Sequence, residues 1–146
     1  MTNLQITFTS KSLCIFAPAI LYMEALIIEP TERFLSVSLI AETGKFIFSG
    51  KSLPEDGRIF FTPVMQWLKK YALAPADHTE CSFKMEYFNS SSRKCFVDIF
   101  ILLDSIRRNG NAVTIVWYYE EEDDEMKEMG EWYENIYDLD FQFRSY

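Results

Sequence analysis

The pattern of hydrophobic and polar residues becomes regular after the N-terminal stretch, and from there it predicts alternating strands and helices. Residues 36–39 and 46–50 each favour a strand, and residues 42–45 between them favour a turn, so this pair predicts a β-hairpin. Apolar residues at helical spacing then predict a helix over residues 59–71. Pro63 is expected in the first turn of that helix, where the missing N–H of proline is tolerated.

A third strand and a second helix follow. Residues 82–88 alternate between apolar and polar side chains, which predicts a strand with Tyr87 on its buried face. Residues 89–92 are expected to form the turn into the next helix. That helix is expected to end at the Asn109-Gly110 pair, which is typical of a C-terminal stop.

The last third of the chain predicts two more strands and a third helix. Residues 113–119 are the most strand-like run and are expected at the centre of the sheet, while residues 125–134 favour a helix and residues 141–143 a final strand. Strands that alternate with helices favour a parallel sheet with right-handed crossovers. We therefore predict a single α/β domain with a mixed, mostly parallel sheet and the hairpin at one edge.

Composition and charge exclude several classes of function. The net charge of −8 argues against binding to nucleic acid or to an anionic membrane surface, and it leaves basic protein partners open. Cys14, Cys81 and Cys95 lack paired spacing, so we expect no disulfide framework and no metal site, in a reducing, cytoplasmic compartment. The single histidine, His78, is expected in an exposed loop, although any Ser/His or Cys/His catalytic pair would need it. The scattered glycines form no phosphate-binding loop, so no cofactor is expected.

An apolar stretch lies near the N-terminus, and such segments can be membrane helices or secretion signals. Residues 13–26 contain Pro18 and Glu24 and are shorter than the ~20 residues that a spanning helix needs. We therefore expect neither a membrane helix nor a secretion signal.

The most informative feature is a run of three hydroxyl side chains, Ser90, Ser91 and Ser92, between a predicted strand and a predicted helix. Hydroxyls at this place can cap the helix by accepting hydrogen bonds from its unpaired N–H groups. They could also be phosphorylated, because a phosphate would lie at the positive end of the helix dipole. Arg93 and Lys94 could then pair with it. On these residues alone, a purely structural cap and a modification site both stay open.

Several blocks of sequence, in the same order, resemble the SiaC family of bacterial regulatory phosphoproteins. The blocks are Ser49-Gly50-Lys51-Ser52-Leu53-Pro54-Glu55, Phe60-Phe61-Thr62-Pro63-Val64 with Trp67-Leu68 and Tyr71, and Tyr87-Phe88-Asn89-Ser90-Ser91-Ser92-Arg93-Lys94 with Asp98-Ile99 and Leu102-Leu103. The resemblance implies a fold related to the STAS-like anti-sigma-factor antagonists. It also implies a cycle in which a cognate protein kinase phosphorylates the turn and a PP2C-type phosphatase reverses it. The implied output is a diguanylate cyclase, and hence cyclic-di-GMP and biofilm signalling.

The resemblance also assigns roles to residues of the turn. The phosphorylated residue falls on Ser90, with Ser91 and Ser92 as alternatives, and Asn89 would shape the turn. Arg93 and Lys94 become candidates for contact with the phosphate, the kinase, the phosphatase or the output partner.

Family members begin shortly before the segment at residues 26–28, which makes Met23 a candidate start of the native protein. Residues 1–22 are therefore expected to be an N-terminal extension or part of a mis-assigned start, and residues 23–146 the regulatory domain.

Two other kinds of function stay open beside the switch. A constitutive interaction scaffold would bind its partner whatever the state of the serines. A small ligand-binding or enzymatic domain is disfavoured by the single histidine.

Residues 120–124 are expected to form a solvated acidic face, and Trp132 and Tyr133 are expected as aromatic residues of an interface.

Overall fold

Seven strands and three helices make up the computed structural model, which describes residues 5–9 and 22–146. In chain order they are β1 Ile6–Thr9, β2 Ala25–Ile28, β3 Ser36–Ile40, β4 Lys45–Ser52, α1 Gly57–Tyr71, β5 His78–Phe88, α2 Ser90–Arg108, β6 Ala112–Tyr119, α3 Asp124–Ile136 and β7 Asp140–Ser145. The strands lie in the sheet in the same order as in the chain. The prediction of one α/β domain with a mixed sheet is confirmed.

The sheet has an antiparallel half and a parallel half. Strands β1 to β4 pair antiparallel, whereas β4 to β7 pair parallel through α1, α2 and α3. Because parallel crossovers are right-handed and each moves one strand further along, all three helices lie on the same face. The antiparallel part is thus larger than the predicted hairpin, since β1 and β2 precede it.

Strand β1 lies within residues 1–22, the segment that is predicted to be an extension. Residues 6–9 pair with Ala25–Ile28, so this part of the segment contacts the sheet. Cys14 and Pro18 lie outside the described residues. The start of the native protein at Met1 or Met23 stays a prediction.

Aromatic side chains fill the layer between the sheet and the helices. Phe48 stacks on Phe83 of the neighbouring strand with ring centroids 5.0 Å apart, and Phe96 of α2 contacts both rings edge-on. Each large apolar side chain buried in this way contributes about 1.5–3 kcal/mol. Phe96 therefore anchors the beginning of α2 to the middle of the sheet.

Two details of the helices and strands differ from the sequence prediction. Helix α1 begins at Gly57 after the N-cap Asp56, so Pro63 is inside the helix and not in its first turn. There its missing N–H removes one backbone hydrogen bond from the helix. Strand β6 is not central: it lies between β5 and β7, next to the sheet edge. Its residues 113–117 are all buried, which explains its strongly apolar sequence.

The predicted alternation of β5 fails at its end. The pairing of β5 with β4 shifts so that Gly50 faces Met85 while Lys51 faces Tyr87. This β-bulge turns Tyr87 to the surface, with 53% of its area exposed, and turns Phe88 into the core. The prediction of a buried Tyr87 is therefore wrong, because an extra residue in one strand reverses the side-chain phase.

The helices are amphipathic, with one face against the sheet and the other in solvent. The longest, α2, has 19 residues and carries charged side chains along its outer face. Within residues 5–9 and 22–146, no helix is long and apolar enough to cross a membrane.

Candidate functional site

The three serines occupy the first turn of α2, directly after the bulged end of β5. Asn89 is the N-cap, so the helix already includes Ser90, and the predicted turn at residues 89–92 is instead a cap followed by helix. Phe88, which the bulge directs inward, packs on Phe96 with ring centroids 5.0 Å apart. The last core residue of the strand thereby fixes where the helix starts.

Asn89 joins the start of α2 to the loop after β4. Its side-chain oxygen accepts hydrogen bonds from the Ser92 N–H at 3.0 Å and the Ser92 hydroxyl at 2.9 Å. Its side-chain nitrogen donates to the Pro54 carbonyl at 2.8 Å, and its backbone N–H donates to the Ser52 carbonyl at 3.0 Å. One residue thus caps the helix and links it to the end of β4 and the loop that follows.

The surroundings of the three serines differ. Ser92 is fully buried, and its hydroxyl lies 2.7 Å from the Ser52 hydroxyl. Ser91 is half-buried, and its hydroxyl accepts a hydrogen bond from the Gly57 N–H at 2.6 Å. Ser90 is exposed, and its hydroxyl has no hydrogen bond to any described residue. Only Ser90 presents a hydroxyl that is accessible and without a structural contact.

The N-termini of two helices meet at this site. The first N–H of α1, that of Gly57, donates to Ser91 in the first turn of α2. Neither helix has an acidic residue in its first turn, although the N-cap Asp56 accepts from the Arg58 N–H at 3.0 Å. The positive ends of two helix dipoles therefore lie side by side.

Two basic side chains follow the serines on the surface of α2. Arg93 and Lys94 are exposed, and neither forms an ion pair within the part of the chain that the structure describes. The Arg93 carbonyl accepts a hydrogen bond from the Tyr133 hydroxyl at 3.3 Å. Tyr133 is thus buried beneath α2 and is not the interface residue that the sequence suggested, while Trp132 beside it is 47% exposed.

Below the serines lies a buried thiol. Burial raises the pKa of the Cys95 thiol, and the carboxylates of Asp98 and Asp56 add to the effect. Such a thiol is protonated at neutral pH and is a poor nucleophile.

His78 lies far from the serines. It is the first residue of β5, and not a loop residue, and its Nε2 contacts the Thr114 hydroxyl at 2.9 Å. Strand β5 has 11 residues, so His78 and Ser90 are separated by roughly 30 Å. His78 therefore does not pair with the serines. Among the residues described, no three His, Cys, Asp or Glu side chains are grouped as metal ligands.

Sequence reasoning missed two residues of the site, Ser52 and Gly57. Both were expected in the loop at residues 51–57, more than 30 positions before the serines. The block from Ser49 to Glu55 contributed to the family resemblance, which was the signal that this loop matters. Nothing local in the sequence shows that Gly57 contacts Ser91.

Comparisons with known proteins agree with these findings. The structure of apo-SiaC from Pseudomonas aeruginosa superposes with a TM-score of 0.78 at 23% identity, over 84% of this chain and all of that one. SiaC in the crystal structure of the diguanylate cyclase SiaD in complex with its activator SiaC, from the same organism, gives a TM-score of 0.77 at 24% identity, over 83% of this chain and 99% of that one. An uncharacterised P. aeruginosa protein is 27% identical over 90 residues, which are 62% of this chain and 71% of that protein.

The family model of the SiaC family regulatory phosphoproteins matches residues 28–146, which include the whole parallel half of the sheet and the serines of α2. The resemblance seen in the sequence is thereby confirmed. This chain belongs to the SiaC family of regulatory phosphoproteins.

Proposed function

We propose that this protein is a cytoplasmic, phosphorylation-switched binding protein that acts on a partner and catalyses no reaction itself. A cognate protein kinase phosphorylates Ser90, and a PP2C-type phosphatase removes the phosphate. The observation that carries the proposal is the exposure of Ser90 at the first position of α2, while Ser91 and Ser92 are held by hydrogen bonds.

The electrostatics of the site support phosphate at this position. A phosphoserine adds about −1.5 to −2 charges, which the dipole of α2 and the two basic side chains Arg93 and Lys94 would offset. The Ser90 side chain makes no hydrogen bond to the described residues that phosphorylation would break, so the fold need not change there. The switch then works by changing the charge of a surface that a partner binds.

The proposed output partner is a diguanylate cyclase. The similarity to SiaC, which activates the diguanylate cyclase SiaD in the solved complex, supports this choice. In the proposed cycle the unphosphorylated protein binds the cyclase and promotes cyclic-di-GMP synthesis, and hence biofilm growth. The phosphate on Ser90 would prevent or weaken that contact by adding charge and bulk.

Mass spectrometry tests the phosphorylation step directly. The protein is purified from its native host, with and without treatment by a PP2C-type phosphatase, and the peptide that carries residues 89–94 is mapped. We expect one phosphatase-sensitive phosphoryl group on Ser90, absent from S90A. The matched control S105A changes a serine near the other end of α2 and should keep the phosphate. A protein without phosphate in every growth condition would overturn the switch and favour a constitutive scaffold.

A binding assay separates the switch from the scaffold. S90A and S90D are compared for capture of the diguanylate cyclase expressed in the same host. A switch requires that S90A binds and S90D binds at least about tenfold more weakly, which is about 1.4 kcal/mol. Equal binding of both variants would contradict the switch.

A further inference from the structure

Ser90 and Ser91 are chemically identical neighbours, yet only one of them has a free hydroxyl. The difference arises from α1, because the Gly57 N–H donates to the Ser91 hydroxyl at 2.6 Å. This contact is possible only where the backbone of residue 57 comes very close to α2. A Cβ atom on residue 57 would lie 2.8 Å from the Ser91 hydroxyl, 2.9 Å from its carbonyl oxygen and 3.0 Å from the Cys95 sulfur.

Glycine at position 57 is thus required by space and not by backbone angles. The glycines with positive φ are at other positions of the described chain. The Ser91 hydroxyl could rotate away from an added Cβ, but the Ser91 carbonyl is part of the backbone of α2 and cannot. Any side chain at residue 57 therefore separates the beginnings of α1 and α2.

We propose that Gly57 selects the phosphorylated residue: it lets α1 close on Ser91 and so withdraws that hydroxyl from the kinase, leaving Ser90 as the acceptor. The inference rests on the proposed function and adds the rule by which one of three serines is chosen. Gly57 is a positioning residue here, since it acts through Ser91. Ser92 is kept from the kinase without any help from Gly57, because it is fully buried against Ser52.

The chemistry of phosphoryl transfer explains why the hydrogen bond protects Ser91. The kinase would join the serine oxygen to the γ-phosphorus of a nucleoside triphosphate, while the bond from that phosphorus to the bridging oxygen breaks and the nucleoside diphosphate leaves. The hydroxyl proton passes to a base of the kinase. The attacking oxygen needs a lone pair in line with the leaving oxygen. At Ser91 that oxygen is half-buried and bonded to Gly57, and its release would leave an unpaired N–H at the start of α1.

Three variants purified from the native host test the inference by peptide mapping of phosphate. Wild type should carry phosphate on Ser90. S90A should carry about 100-fold less, because a mispositioned acceptor reacts about that much more slowly. S90A/G57A should regain phosphate on Ser91. The control S90A/S105A changes a residue near the other end of α2, away from the contact with Gly57, and should regain none.

Each outcome decides between the alternatives. Phosphate on Ser91 in S90A, at half the wild-type level or more, overturns the inference, because Ser91 would then be free without any change at Gly57. A folded S90A/G57A without phosphate also overturns it and means that sequence register alone selects Ser90. If S90A/G57A does not fold, S90A/G57A/C95A removes the contact at 3.0 Å and serves in its place. A wild type without phosphate refutes the proposed function instead.

Discussion

Helices α2 and α3 begin in the same way but with opposite charge. In each, an N-cap side chain accepts a hydrogen bond from the N–H three residues on: Asn89 from Ser92 at 3.0 Å, and Asp123 from Met126 at 2.9 Å. The first turn of α2 has three hydroxyls and no acid, whereas that of α3 has Asp124 and Glu125. The α3 dipole is already compensated, while that of α2 has no fixed negative charge.

The contrast extends along the chain. Residues 120–134 contain nine acidic side chains and one lysine, so this segment alone has the formal charge of −8 that the whole chain has. A phosphate at the start of α3 would be repelled by its neighbours. At the start of α2 it would meet a helix dipole, Arg93 and Lys94. The same N-cap hydrogen bond thus lies in surroundings that favour added negative charge at one helix and disfavour it at the other.

Removing each N-cap gives the largest expected difference between the two helices. N89A should lower the free energy of unfolding by about 2–3 kcal/mol, because it removes a cap and the hydrogen bonds to Ser92 and Pro54. D123A should cost about 1 kcal/mol or less, since its side chain caps only Met126 and its charge lies in an acidic run. Urea unfolding measures both. Equal losses would mean that the contact of Asn89 with the β4–α1 loop adds no stability.

The pH dependence of stability distinguishes the buried Cys95 thiol of α2 from the buried Tyr133 phenol of α3. Burial raises the pKa of Cys95 above its ordinary value of 9.0, so the folded protein resists forming the thiolate. The stability that this provides is complete below the unfolded pKa and is lost as pH rises above it, at about 1.4 kcal/mol per unit of pKa difference. Between about pH 8 and 10 the free energy of unfolding should therefore fall.

Two variants show which side chain causes this decrease in the free energy of unfolding. C95A should make the pH profile less steep in this window, whatever its effect on stability at neutral pH. Burial also raises the pKa of Tyr133, but from 10.0, so Y133F should leave the slope below pH 10 unchanged. Cys81, whose pKa burial raises as well, accounts for the slope that remains in C95A. An unchanged slope in C95A would show that this thiol is not desolvated in the native state.

Exchanging the charges of the two first turns gives the smallest effect. S90D should raise the free energy of unfolding by about 0.5 kcal/mol relative to S90N, because only the carboxylate interacts with the α2 dipole. D124S should change it by less, since the lost dipole interaction is offset by reduced repulsion among the acids of residues 120–134. Both differences should nearly disappear in ~1 M NaCl, where charges are screened. A destabilised S90D would mean that the start of α2 does not favour negative charge.

The sequence predicted most elements of the parallel half because each has a local signal. Helical spacing marked α1 and α2, and the apolar run at residues 113–119 marked β6. The errors lie where tertiary pairing decides. Tyr87 lies on the surface because β5 contains a bulge relative to β4, and nothing in the alternation of residues 82–88 shows that shift.

The candidate site was predicted only in part. The run Asn89 to Ser92 marked it, since hydroxyls and an amide before an apolar helical pattern are typical of a helix start. Family resemblance then singled out Ser90, an assignment that stays a prediction. Ser52 and Gly57 could not be found, because hydrogen bonds across more than 30 positions depend on how β4 and β5 pair.

The amino-acid sequence by itself determined the fold class, the acidic character of the α3 region and the place of the serines at the start of a helix. These follow from hydrophobic period, charge and capping preference, which act over a few neighbouring residues. Only the tertiary structure decided which serine hydroxyl is free, because parallel pairing of β4 with β5 brings the start of α1 against the start of α2. That contact requires a residue without a side chain at position 57. The neighbouring sequence does not show which distant residue will pack against this glycine.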